Sequence, residues 1–342
     1  MKQATTVSDA SIDDQTNPGC VLGLDVSKDS VEVYLGLSSG AHRTRSISND
    51  HDGFEALARW LERHVDSTGC LHACVEASGG YEQPVARFLY ENGARVSVLN
   101  PRRTSAYAES QLRRSKTDRA DAQLLARFCK REEPSLWEPP APDREALQAL
   151  SRGLQGLKKE RDRLENQLDR TKQQAVSAAI KAVLEEIKEQ IETLQKQLDE
   201  QVQTSQHIRR DRELLETIPG VGRTSATQIL AELGDYSRFD SARQAAAYAG
   251  LTPFEHTSGT SVRKEPRLSK VGNARLRKAM YFPALTALRC NAAIQAFGQR
   301  LADRGKAGMV IVGAAMRKLL HICYGVLKNG KPFDASLHPG VT

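Results

Sequence analysis

Four acidic residues between Asp25 and Asp121 have types and spacings suited to metal-assisted phosphoryl chemistry. Asp25 lies near the end of an apolar run, in Gly23-Leu-Asp-Val-Ser-Lys28, and Glu76 ends another, in Cys74-Val-Glu-Ala-Ser78. Asp118 and Asp121, in Lys116-Thr-Asp-Arg-Ala-Asp121, stand three apart where a helical pattern begins, so they share a face. Singly, each has an ordinary explanation: an Asp at a strand end makes turns, and Asp118 could cap its helix. Together, two strand ends and one helix face could converge at one edge of a sheet. Converging carboxylates repel one another unless cations neutralise them. Hard oxygen donors suit Mg²⁺ or Mn²⁺. Two such ions roughly 3.5–4 Å apart can activate a nucleophile and stabilise a leaving oxygen.

A second candidate is a serine far along the chain. Leu251-Thr-Pro253 leads into Glu255-His-Thr-Ser-Gly-Thr-Ser261, followed by the basic stretches 262–270 and 272–278. Cations around a serine would position a phosphodiester and stabilise the charge that develops on it. As composition alone, Ser-Gly-Thr-Ser is an ordinary loop, and it leaves Ser258 and Ser261 as alternatives.

These residues need elements to position them. From Cys20 to Arg131, short β-type runs (Cys20–Val26, Val31–Leu35, His42–Ile47, Leu71–Val75, Arg95–Leu99) are interspersed with helical patterns (Phe54–His64, Val85–Asn92, Ala120–Cys129). That order predicts a mixed α/β sheet. The Pro-rich stretch Pro134–Pro142 marks a boundary. Leu147, Leu150, Leu154, Leu157, Leu164 and Leu168, then Ile180, Leu184, Ile187, Ile191, Leu194 and Leu198, recur at steps of three and four. They predict a coiled coil over 143–208, formed within one chain or between chains. Leu214-Leu-Glu-Thr-Ile-Pro-Gly-Val-Gly222 before a helix over Thr224–Leu233 has the pattern of a helix–hairpin–helix. Its glycines would let backbone N–H groups approach a phosphate.

The net charge of +7 across 342 residues is uneven. Between Ser258 and Cys290 there are eight Lys or Arg and one Glu, an excess equal to that of the whole chain, as expected of a nucleic-acid binder. The six cysteines have no zinc-ligand spacing, which predicts free thiols in a cytoplasmic protein. The longest apolar run, Met309–Met316, is short for a bilayer, and no membrane role is expected. Residues 1–19 read as a disordered leader without a signal-peptide core.

In order and spacing, the motifs Gly-Leu-Asp-Val-Ser-Lys, Val-Glu-Ala-Ser-Gly-Gly-Tyr, Lys-Thr-Asp-Arg-Ala-Asp-Ala, Ile-Pro-Gly-Val-Gly, Ala-Gly-Leu-Thr-Pro and Ser-Lys-Val-Gly-Asn resemble the insertion-sequence-110 family of transposases. The match runs from Cys20 to Asp334. The resemblance implies an RNase H-like (RuvC-like) domain over 20–133 and a helical C-terminal transposase domain over 212–335. It implies that Asp25, Glu76, Asp118 and Asp121 bind Mg²⁺ or Mn²⁺, and that Ser258 forms a covalent phosphoserine link to DNA. It further implies donor and target double-stranded DNA as substrates, a non-coding bridge RNA as guide, and a dimer that pairs into a tetramer on DNA. The stretch without helix breakers, about 60 residues, would extend roughly 90 Å as one helix. That length adds the expectation that metal ligands and serine meet across subunits. A junction endonuclease using metal-activated water and a non-catalytic nucleic-acid-binding architectural protein are the other readings of the same residues. Covalent protein–DNA adducts distinguish the recombinase from both.

Overall fold

The computed structural model describes residues 19–111, 117–258 and 262–337, with backbone alone for 255–258 and 262–266. The expected leader, apart from Gly19, and the alternative nucleophile Ser261 lie outside the described residues. The chain divides into two compact units at Pro139/Pro140.

The first unit is built on a five-stranded sheet of order β3-β2-β1-β4-β5. Its strands are β1 (Cys20–Val26), β2 (Ser30–Gly36), β3 (His42–Ser48), β4 (Leu71–Glu76) and β5 (Arg95–Leu99). The first three form an antiparallel meander, and β4 and β5 add in parallel to β1, giving the mixed sheet the sequence predicts. Helices α1 (His51–Leu61) and α2 (Gln83–Glu91) cover one face. Leu22, Leu24, Val31, Val33, Leu71, Ala73 and Val75 point to that face and pack with Phe54, Leu57, Val85 and Leu89. Helix α3 (Pro101–Ser110) is absent from the sequence reading; only Thr104 of it is buried, so no apolar period marks it. Helix α4 (Asp118–Glu132) lies on the opposite face, where Leu125, Phe128 and Cys129 pack on Val21, Cys74 and Leu99.

In the second unit α5 (Pro142–Leu168) and α6 (Gln174–Thr204) form a helical hairpin within the chain. The turn over 169–173 breaks what the sequence suggested could be one long helix. Gln201 Nε2 reaches the Asp143 carbonyl at 3.2 Å, and Leu164 packs with Ile180, Leu184 and Ile187, so the helices run antiparallel. The end of the hairpin carrying Leu147, Leu154, Leu198 and Val202 belongs to the main core of this unit. That core is shared with α7 (Gln206–Glu216), α8 (Arg223–Leu233), α9 (Ala242–Tyr248), α10 (Ala274–Ala279), α11 (Tyr281–Cys290), α12 (Ala292–Asp303) and α13 (Gly308–Asn329). Helix α13 extends the apolar run at Met309–Met316 to a length that could cross a membrane. Its Leu319, Leu320 and Cys323 are instead fully buried in the core. The domain is not wholly helical as expected: β6 (Pro253–Ser258) and β7 (Val262–Leu268) form an antiparallel hairpin.

Candidate functional site

The pleat of the first unit places its acidic residues on one face. Val21, Gly23 and Asp25 alternate on the α4 side of β1, and Cys74 and Glu76 do so on β4. The parallel register ends at Leu24↔Val75, so Asp25 and Glu76 are the next residues on adjacent strands. Helix α4 runs opposite to these strands. Its Cys129 Sγ donates to the His72 carbonyl near the start of β4 at 3.4 Å, while Ala122 lies over Gly23. Asp118 and Asp121, in the first turn of α4, are thereby brought to the end of the sheet that carries Asp25 and Glu76.

Gly23 makes this approach possible. A Cβ there would stand 1.9 Å from the Ala122 carbonyl oxygen and 2.5 Å from the Ala126 nitrogen. Any side chain would drive the helix off the strand, and with it the two aspartates. The helix cap is Thr117, whose hydroxyl accepts from the Ala120 N–H at 3.4 Å, so Asp118 is not needed as the cap.

A fifth carboxylate stands at this end. Glu32 is the direct cross-strand partner of Asp25, and Arg119, between the two helix aspartates, faces its Oε2 at 3.8 Å. That Oε2 is buried and accepts no hydrogen bond. Sequence reasoning missed Glu32 because a polar residue in the alternating run Ser-Val-Glu-Val-Tyr reads as solvent-facing. The face became partly covered only when α4 packed on it. Glu76 Oε2 accepts from the buried Thr104 hydroxyl of α3 at 2.8 Å. The loop after β4 closes on Glu82, whose Oε2 accepts from the Ser78 and Gly80 N–H groups at 3.0 and 2.8 Å. Asn49 Nδ2 donates to the carbonyls of Ser27 and Tyr81 at 2.9 and 3.1 Å, clamping together the loops that follow β1 and β4.

The carboxylates share an end of the sheet, and among the described residues no three of them offer oxygens all within 4.8 Å of one another. Among the described residues, the one group of three or more metal-donor atoms within 4.8 Å of one another is His72, Cys74 and Cys129. Like charges keep such carboxylates apart. The donors fit hard divalent cations in kind: all are carboxylate oxygens, and the buried Glu32 Oε2 has an unused lone pair.

Ser258 is the last residue of β6, with its backbone paired to Val262 across the hairpin, rather than on an open loop as the sequence suggested. The base of the hairpin is held by the motifs on either side. Gly250 (φ +66°) and Gly272 (φ +145°) take backbone conformations that side chains disfavour; a Cβ on Gly272 would stand 2.3 Å from the Tyr248 carbonyl oxygen. Asn273 donates through Nδ2 to Glu232 Oε2 at 3.1 Å and to the Tyr248 hydroxyl at 3.2 Å. Glu232 is fully buried and takes a two-pronged bond from Arg152, 2.9 Å on each arm, which raises the guanidinium pKa further above its ordinary value. None of Arg152, Glu232 or Asn273 was singled out as a site residue, because their pairing spans helices distant in sequence.

The Pro-Gly-Val-Gly turn expected to meet phosphate is partly used in packing. A Cβ on Gly220 would stand 2.7 Å from Ala287 Cβ of α11, whereas Gly222 at the start of α8 faces open space. A surface pocket there is lined by Pro219, Gly222, Ser225 and the exposed Phe282.

Comparison with known proteins agrees with the motif order. Residues 212–299 match the family model described as "Transposase IS116/IS110/IS902 family", and residues 22–176 match one described as "Transposase". The chain is 33% identical over 322 residues to the pilin gene-inverting protein of Moraxella bovis, covering 93% of this chain and 98% of that one. It is 30% identical over 128 residues to an uncharacterized 43.6 kDa protein of insertion element IS110 from Streptomyces coelicolor, covering 37% of this chain and 31% of that one. Among solved structures, T. thermophilus RuvC in complex with a Holliday junction substrate aligns over 33% of this chain and 95% of that one. The TM-score is 0.25 and the identity 12%, too slight a likeness to bear on the fold.

Proposed function

The chain belongs to the IS110 family of transposases, enzymes of DNA recombination, and from that premise we propose that it cuts and rejoins DNA with two sets of groups. The first is the acidic end of an RNase H-like unit: Asp25, Glu76, Asp118 and Asp121 as ligands, with Glu32 beside them. Bound Mg²⁺ or Mn²⁺ would supply charge neutralisation at the scissile phosphate and the leaving oxygen. The second is Ser258. Its Oγ forms the new P–O bond and gives up its proton, and the sugar oxygen leaves and takes a proton. The phosphoserine ester keeps the energy of the broken phosphodiester, so reversal onto the same or another strand rejoins DNA without a nucleotide cofactor. The basic residues flanking the hairpin and the open start of α8 are suited to hold the DNA backbone.

The observation that carries this reading is the contact of the α4 backbone with Gly23, which brings two helix carboxylates to the strand ends of two others. The test is DNA cleavage in Mg²⁺ by Asp25→Ala and Glu76→Ala proteins. Cleavage is expected to vanish while the far-ultraviolet dichroism stays unchanged. Full activity of the wild type in EDTA would rule the metal out.

Site choice is proposed to come from a bound bridge RNA, because charge rather than a base-reading element dominates the sequence of the DNA-facing segments. RNase-treated protein should lose site-specific recombination and keep salt-sensitive general binding. Unchanged site selection by RNA-free protein would contradict it. The proposed assembly is a dimer that pairs into a tetramer on two DNAs.

A further inference from the structure

A compact set of soft metal donors lies inside the first unit, apart from the acidic end. His72 and Cys74 alternate on the α4 face of β4, and Cys129 comes from α4 itself. One donor atom from each lies within 4.8 Å of the others, and all three residues are buried. The cysteine spacing in the sequence gives no hint of this, since Cys74 and Cys129 are brought together only by the packing of helix on sheet. We propose that His72, Cys74 and Cys129 bind a thiophilic metal ion of the Zn²⁺ class, which fastens α4 to the sheet.

The hydrogen bonds around the cluster favour this. The Ser97 hydroxyl lies 3.0 Å from the Pro134 carbonyl and 2.9 Å from that of Ser135, and its one proton goes to one of them. At 2.9 Å from His72 Nε2 it accepts when that proton goes to a carbonyl, the tautomer that carries the proton on Nε2 and a lone pair on Nδ1. A ligand histidine is commonly oriented by just such a bond from its other nitrogen. The Cys129 Sγ donates to the His72 carbonyl at 3.4 Å and lies within 4.8 Å of a donor atom of each of the other two residues. Arg95, the cross-strand partner of His72, has a buried Nε with no acceptor.

The charges also balance. On binding, the two thiols release two protons, and two thiolates with a neutral imidazole cancel a divalent charge, so the buried group is neutral overall. Sulfur and imidazole donors select Zn²⁺ or Cu⁺ over Mg²⁺, which separates this site chemically from the carboxylates.

The experiment uses the full-length Asp25→Ala protein, in which the acidic end is disabled, purified under reducing conditions with Zn²⁺ or Co²⁺ supplied. Elemental analysis should find one zinc ion per chain, and the cobalt form should show thiolate-to-metal charge-transfer absorption. Cys74→Ser and Cys129→Ser should each lose the ion and the absorption band. If those variants do not fold, the cobalt spectrum of the Asp25→Ala protein decides alone. Absence of a charge-transfer band with both thiols open to alkylation after unfolding would overturn the proposal. So would zinc retained undiminished in folded Cys74→Ser, or a protein isolated two hydrogens lighter with a Cys74–Cys129 disulfide that excludes the metal.

Discussion

The acidic end of the first unit and the serine hairpin of the second are built in opposite ways. At the acidic end, backbone lies against backbone: α4 touches β1 at Gly23, and the proposed ligands project from regular elements with a packed core beneath them. The serine stands at the end of a two-stranded hairpin whose base is fixed by a polar network, the buried Glu232 with Arg152 and Asn273. One site depends on steric fit and the other on a charge network. The comparison indicates how each should fail: the first through added volume, the second through a removed charge.

The largest expected effect follows from the network. Glu232→Gln leaves Arg152 paired with a neutral amide, and breaking a buried ion pair costs about 2–4 kcal/mol when one partner is partly exposed, as Arg152 is. Urea unfolding should register this loss. At temperatures where the variant is folded, DNA–protein adduct yield should fall further than DNA binding. A variant as stable as the wild type would show that the hairpin base is held by other contacts.

Gly23→Ala should cost about 1–3 kcal/mol, the usual range for forcing extra volume into a packed site. Because α4 must move, Mn²⁺ affinity measured by paramagnetic relaxation should fall with stability. Loss of stability with unchanged Mn²⁺ affinity would separate the helix position from the acidic site.

A smaller effect is expected at Thr104→Val, which removes the hydroxyl that donates to Glu76 Oε2 while keeping the buried shape. Loss of a bond that orients a ligand lowers metal affinity by about 10–100-fold. An unchanged affinity would take Glu76 out of the ligand set.

How far these features could be read from sequence depended on the range of the interactions. The five sheet strands and the face shared by Asp118 and Asp121 follow from local periodicity, and the structure has them close to their expected limits. Helix α3 escaped because its apolar residues, Ala106, Tyr107 and Ala108, are consecutive and trace no helical period. The β6–β7 hairpin escaped because its second strand, Val-Arg-Lys-Glu-Pro-Arg-Leu, contains a proline and little apolar alternation. Glu32 and the His72–Cys74–Cys129 cluster depend on which face a later helix covers, and periodicity within one strand does not contain that information.

The smallest signal concerns assembly. Asp25→Ala protein mixed with Ser258→Ala protein, each inactive alone, should regain a fraction of wild-type recombination if acidic end and serine come from different subunits. Well-exchanged mixtures that stay inactive would assign both to one chain.

The central claim is that Ser258 takes the DNA phosphate in a metal-dependent step, and trapping that intermediate tests it most directly. Reactions with labelled DNA in Mg²⁺ are quenched in denaturant, and the protein-bound label is mapped by proteolysis and mass spectrometry. The account predicts a denaturation-resistant adduct on Ser258 that is absent in EDTA and in Ser258→Ala, and only weakened in Ser261→Ala. Cleaved DNA bearing free 5′-phosphates with no adduct, or an adduct mapped to Ser261, would contradict it.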